Sequence, residues 1–277
     1  MTQTSTRKVG DFTVTAVSDG PYRGSFEALI GVERADIERL SGVKAGEPMW
    51  LDVNSYLIRG GGKLMLSDAG SGPALQPTLG KLPENLRAAG AAPEDIDVLL
   101  LTHLHSDHSF GLVDEAGRAV FPKAEIVVHE KEAAFWLDRT VLPDDPERIR
   151  NNSAAQRRIT APYRDRIRRI KDGEVLPGVT AVLRPGHTPG HTNWLLQSGG
   201  ERLLIWGDSV HIASVQVPRL DAALIFDTDP DMARATRRQV FGWAADRQVT
   251  VAGAHLPFPG FGRIERSGQG FQYRAET

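Results

Sequence analysis

Short apolar runs alternate along the chain with longer segments in which apolar residues recur at helical spacing, and this pattern predicts a mixed α and β fold. Strands are expected at Phe12–Val17, Ser55–Arg59, Lys63–Ser67, Val98–Thr102, Glu125–His129, Val179–Leu183, Trp194–Gln197, Leu203–Trp206 and Thr250–Ala254. Helices are expected at Pro83–Ala89, Lys131–Asp138, Ala154–Ile170 and Pro230–Arg247. The last is the best signalled. Asp229 stands at a capping position, Pro230 suits the first helical position, and Met232, Thr236, Val240 and Trp243 fall on one face. The stretch "PDDPERIRNN" is expected to form a loop, followed by an Arg-rich helix with a solvated face.

The pattern also repeats. "NSYLIRGGGKLMLSDAG" (54–70) echoes "NWLLQSGGERLLIWGDS" (193–209): apolar strand, glycine turn, apolar strand, aspartate. Each reads as a β-hairpin whose second strand ends in an acid, Asp68 or Asp208. Two similar halves within a single domain over 1–277 are therefore expected. The segment 24–40, with Phe26, Leu29 and Ile30, is expected to act as a lid or homodimer contact.

Bulk properties narrow the classes. The 277 residues are 40% hydrophobic with a formal charge of −2, which leaves no basic footprint for nucleic acid. With no cysteine, disulfides, thiolate metal sites and cysteine nucleophiles are all excluded. The opening "MTQTSTRKVGDF" has no apolar leader core, and no apolar run approaches the roughly 20 residues that cross a bilayer. A soluble, cytoplasmic protein without a membrane partner is the expectation.

The chemistry concentrates at strand ends. In "LLLTHLHSDHSFG" (99–111), His103, His105, Asp107 and His108 crowd the exit of a predicted strand, and His103 and His105 alternate so that they share a face. "RPGHTPGH" (184–191), the Asp208 of "GDS" and the His255 of "GAHLPFPG" follow three other predicted strands. Nitrogen and oxygen donors without sulfur suit zinc, manganese, cobalt or iron. Seven candidates, His103, His105, Asp107, His108, His187, Asp208 and His255, are too many for one catalytic ion with an open position. They suit two divalent ions, zinc first, sharing an oxygen at a separation of about 3.5–4 Å.

At these residues the chain resembles the metallo-β-lactamase superfamily, in its H-x-H-x-D-H motif, its "PGHTPGH", its "GDS" aspartate and its late histidine, in that order. The resemblance implies an α+β fold, a four-layer αββα sandwich of two similar halves with the metals at one edge. It implies that His103, His105 and His187 hold one ion, that Asp107, His108 and His255 hold the other, that Asp208 bridges, and that His191 orients a ligand. A closer resemblance to methyl parathion hydrolase and its lactonase-like relatives rests on "GDSVHIASVQ", "AHLPFPGFGRI" and "KEAAFWL". It implies a pocket role for Trp136. Acyl-homoserine lactonases often carry tyrosine three residues after the bridging aspartate, where this chain has His211.

The expected reaction is attack by a metal-bridging hydroxide on a lactone, an ester or an organophosphate-like ester. Asp107, Asp208 and His211 are its candidate catalytic residues, and Trp136, His211 and Phe258 its candidate substrate contacts. The alternatives are a persulfide dioxygenase or di-iron oxidoreductase on the same scaffold, or a glyoxalase II-like thioester hydrolase.

Overall fold

Alternate residues along the central strands point into two different cores, and that division sets the layers. Tyr56 and Ile58 pack in one cluster while Leu57 between them packs in another; Met65 and Leu66 divide the same way. A strand buried on both faces reads as a continuous apolar run, as the sequence does here. The computed structural model describes residues 4–73 and 75–276; the first three residues of the amino-terminal stretch lie outside it.

One seven-stranded sheet runs in the order β1 (Thr4–Val9), β2 (Phe12–Gly24), β4 (Met49–Gly60), β5 (Lys63–Ser67), β6 (Val98–Leu100), β7 (Glu125–His129) and β8 (Ile167–Ile170). Strands β3 (Leu29–Ile30) and β13 (Ala223–Leu224) form a small separate pair. The second seven-stranded sheet contains β9 (Gly173–Leu176), β10 (Val179–Leu183), β11 (Thr192–Ser198), β12 (Glu201–Ile205), β14 (Thr250–Ala252), β15 (Phe261–Ser267) and β16 (Gly270–Ala275). The helices are α1 (Arg34–Ser41), α2 (Leu82–Ala88), α3 (Ser106–Ser109), α4 (Glu130–Ala133), α5 (Glu147–Thr160), α6 (Ala213–Gln216) and α7 (Pro230–Asp246).

Val14, Met65, Leu100 and Val127 of the first sheet meet Trp194, Leu196, Leu203 and Ile205 of the second in the central core. Leu82 and Leu86 of α2, with Ile149 and Ile159 of α5, cover the outer face of the first sheet. Val240, Phe241 and Ala244 of α7 cover the second. The fold is thus the four-layer αββα sandwich, and its halves share a local plan. Hairpin β4–β5 is followed by β6 parallel to β5, and hairpin β11–β12 by β14 parallel to β12. The C-terminal ends of these strands open on one edge, where loops can carry binding groups.

Several local expectations change. Residues 147–152, expected in a loop, are the first turns of α5, which starts after Pro146. The helix expected to reach Ile170 ends at Thr160 before Pro162, gives way to 3₁₀ turns over Ala161–Arg166, and is followed by Ile167–Ile170, which pairs in parallel with β7 as an edge strand. On α7, Asp229 does accept from the Met232 amide, but Met232 itself is exposed, and the buried face runs through Ala233, Thr236, Arg237, Val240, Phe241 and Ala244. The edge strands β1 and β16, and β15 beside β16, were not among the expected ones, since their sequences are mostly polar on one face. In segment 24–40, Phe26, Leu29 and Ile37 pack against Ile212, Val215 and Leu224. No helix among the described residues is long and apolar enough to cross a membrane.

Candidate metal centre

The extended backbone after β6 turns His103 and His105 to the same side, ring centroids 4.7 Å apart, while Leu104 between them is buried in the core. His105 then precedes the single turn α3, which carries Asp107 and His108. The loop after β10 supplies His187 and His191, β12 runs out at Asp208, and β14 runs out at His255. Segments distant in sequence thus converge at the open edge.

Asp208 stands at the centre. Its Oδ2 lies 3.2 Å from His187 Nε2 and 3.6 Å from His103 Nε2. Its Oδ1 lies 3.1 Å from His108 Nε2 and 3.3 Å from His255 Nε2. His105 Nδ1 is 2.8 Å from His187 Nε2, and Asp107 Oδ2 is 3.3 Å from His255 Nε2. Two groups of donor atoms result, His103–His105–His187–Asp208 and Asp107–His108–Asp208–His255, each with its atoms within 4.8 Å of one another. One carboxylate oxygen faces each group.

Other acceptors fix the imidazoles. His108 Nδ1 lies 2.9 Å from Asp68 Oδ2, and His187 Nδ1 lies 2.7 Å from Asp227 Oδ1. His255 Nδ1 donates to the Asp52 carbonyl at 3.0 Å. Thr102 Oγ1 donates to Asp68 at 2.9 Å, so it accepts from His103 Nδ1 at 3.1 Å; this network leaves the His103 Nε2 lone pair facing the centre. Asp68 takes a left-handed conformation, φ +61, which aspartate tolerates better than most residues. His191 uses both nitrogens, accepting from the Asp208 amide at 2.9 Å and donating to the Arg184 carbonyl at 3.0 Å. It orients Asp208 and offers no free donor atom.

The donor set fits two cations. His103 Nε2 and Asp208 Oδ1 are buried with no hydrogen-bond partner, which would cost stability unless something else fills the role. Burial would push the Asp107 and Asp208 carboxyls up, but the imidazoles around them hold both below the usual carboxylate range. Burial pulls His187 and His255 down, yet Asp208 with Asp227 raises the first to about 9, and Asp208 with Asp107 raises the second to about 10. His108 is raised in the same way. Protons on these rings therefore stand where the buried carboxylates demand positive charge, and binding of dications would release them. Burial and neighbouring imidazoles keep His103 and His105 well below the ordinary histidine value, so both offer lone pairs.

The cluster forms the floor of a cavity of about 600 Å³. His211 lines it, with Nε2 2.8 Å from Asp208 Oδ2 and its ring stacked on His255 at 5.0 Å. Burial lowers His211 to about 4 against the pull of Asp208. Trp136 also lines the cavity, edge-on to His105 at 5.7 Å, with its indole N–H donated to Glu132. Phe258 does not line it. That residue is half-buried and packs against the inter-sheet core, and its amide donates to Asp52 Oδ2 at 2.9 Å. His129, at the end of β7, accepts from the Lys131 amide away from both donor groups.

Sequence reasoning missed Asp227, Glu132 and the wall residues Tyr22, Met49, Leu51, Asn152 and Leu224. The wall residues come from elements that meet only in the folded chain, and nothing in their local sequence marks them. Asp68 was visible as the acid of the hairpin echo, though its bond to His108 was not.

Comparison with known proteins places the fold in a family. Residues 48–256 match the sequence profile of the Metallo-beta-lactamase superfamily. The structure resembles the hydrolase AbOPH of the beta lactamase superfamily, with 30% identity, a TM-score of 0.91, and 99% of this chain and 97% of that one covered. It resembles to a similar extent AidC, a dizinc quorum-quenching lactonase solved in complex with a product, N-hexanoyl-L-homoserine: 27% identity, TM-score 0.90, 99% and 97% covered. The N-acyl homoserine lactonase AiiB of Agrobacterium fabrum is 32% identical over 102 residues, 30% of this chain and 35% of that protein. The chain spans less than two thirds of the length of the curated relatives it matches. The likeness to methyl parathion hydrolase is only approximate; the chain is similar to AbOPH, AidC and AiiB. With its histidines and aspartates converging at one edge of an αββα sandwich, this chain belongs to the metallo-β-lactamase superfamily.

Proposed function

We propose that this protein is a two-metal hydrolase of lactones and related esters, with N-acyl homoserine lactones the leading substrate class. The observation that carries the reading is Asp208, whose two oxygens each face a separate set of imidazole donors at the floor of a cavity. His103, His105 and His187 would hold one ion, Asp107, His108 and His255 the other, with Asp208 common to both. Two divalent ions there supply Lewis acidity and an activated water nucleophile near neutral pH.

The chain's own residues do the rest. His211 reaches the centre beside Asp208 and provides a hydrogen-bonding group for the scissile ester or its leaving oxygen. Asp107 and Asp208 stay ionised at the floor, where the surrounding imidazoles hold both below the usual carboxylate range. Trp136 closes the wall beside His105, excluding water from that side. Met49, Leu51, Ile212, Leu224 and Phe226 give the cavity an apolar side suited to an acyl chain. A lactonase neighbour in complex with an N-acyl homoserine product, and a lactonase relative by sequence, support that choice.

The test is a panel of N-acyl homoserine lactones, an aryl ester, a thioester and a phosphotriester on one preparation of measured metal content. The proposal expects the highest kcat/KM on a lactone. A preference for the thioester or the phosphotriester, or absence of lactone hydrolysis by the metal-loaded protein, contradicts it.

A further inference from the structure

Glu132 of α4 is fully buried, and its carboxylate accepts four hydrogen bonds from neutral donors. Oε1 takes the Leu104 amide at 2.8 Å and the Trp136 indole N–H at 2.8 Å. Oε2 takes the Thr188 hydroxyl at 2.7 Å and the Gly190 amide at 2.9 Å. Leu104 lies between His103 and His105, while Thr188 and Gly190 lie between His187 and His191. One carboxylate therefore staples the loop after β6 to the loop after β10.

The staple has little slack. A Cβ on Gly190 would come 2.1 Å from the Glu132 amide nitrogen, so that loop is pressed against the backbone of α4. A buried carboxylate is expensive, and a helix facing a core would ordinarily present an apolar residue at such a position. The charge is retained where four donors, all beside the metal-binding loops or the cavity wall, need one acceptor. The second donor group does not depend on it, since His108 is held by Asp68 and His255 by the Asp52 carbonyl.

We propose that Glu132 is the positioning residue that sets the spacing of His103 and His105 against His187, and so assembles the His103–His105–His187–Asp208 group. The inference rests on the two-ion reading above. Glutamine at this position keeps the shape but turns an amide N–H₂ toward two of the four donors. Loss of such an outer partner costs about 10–100-fold in metal affinity.

Calorimetric titration of the metal-free protein with Zn²⁺ tests this without any substrate, the two equivalents being assigned with His105→Ala and His255→Ala. In Glu132→Gln the equivalent assigned to the His105 group should weaken about 10–100-fold, while that of the His255 group stays within a few-fold of wild type. Thr188→Val removes one bond of the four and should weaken the same equivalent by a smaller factor. If Glu132→Gln does not fold, Thr188→Val decides. Equal weakening of both equivalents, or of neither, overturns the positioning role. A wild-type chain that binds fewer than two equivalents overturns instead the two-ion reading beneath it.

Discussion

The Asp227 carboxylate lies 2.7 Å from Nδ1 of His187, and both side chains are buried. Its other oxygen accepts from the Leu224 amide at 2.9 Å, so the residue that orients the imidazole is itself fixed. The interaction turns His187 Nε2 toward Asp208 and, once a bound dication has displaced the ring proton, makes the imidazole a better metal ligand. Asp227→Asn keeps the size and loses the charge. Zinc affinity, measured by competition with a chromophoric chelator, should fall about 10–100-fold, with a parallel loss of hydrolysis at limiting zinc.

On the proposed reading as a hydrolase of N-acyl homoserine lactones, the apolar wall should set a chain-length preference. Phe226 lines the cavity and is 41% exposed, and its carbonyl accepts from Arg148 through the backbone, which a substitution leaves in place. Phe226→Ala should lower kcat/KM about fivefold for a long-chain N-acyl homoserine lactone, mainly through KM, and leave a four-carbon acyl chain nearly unchanged. Kinetics across an acyl-length series checks this. Equal losses at every length would place Phe226 outside the acyl path.

A pH dependence separate from the metal site comes from Asp97. Its Oδ2 accepts from the Leu64 amide at 2.8 Å, and its Oδ1 lies 3.2 Å from Lys123 Nζ. The amide bond, with help from Lys123 and against slight burial, holds its carboxyl below the ordinary value. A carboxyl depressed on folding contributes stability above its unfolded pKa, near 3.9, and that contribution is lost as the pH falls through the folded value. Asp97→Asn should lower Tm by about 1–3 °C at pH 7, and the gap should close below about pH 4. A gap that widens on acidification would contradict the sign.

How much of this was legible follows from where each signal lies. The ligand candidates sit at the ends of apolar strands, so both their residue type and the strand pattern mark them in the chain. Lys63–Ser67, Glu125–His129 and Val179–Leu183 form as expected because short segments rich in apolar and β-branched residues between turns leave few alternatives. "IRRI" (167–170) misleads, since within an Arg-rich run its period fits a helix, and only pairing with β7 makes it a strand. Asp227 and Glu132 were invisible for a different reason. Each acts on a loop tens of residues away, and no local spacing records such a contact. Phe258 was expected at the pocket from its nearness to His255, but it sits half-buried against the inter-sheet core and does not line the cavity.

The central claim is that two ions share Asp208 and that hydrolysis depends on them. It is tested most directly by elemental analysis of wild type and Asp208→Asn alongside lactone hydrolysis on the same preparations. The account predicts about two divalent ions per wild-type chain, a clear loss of bound metal in the variant, and a fall in hydrolysis of several orders of magnitude. An Asp208→Asn protein with full metal content and near-full activity would contradict it.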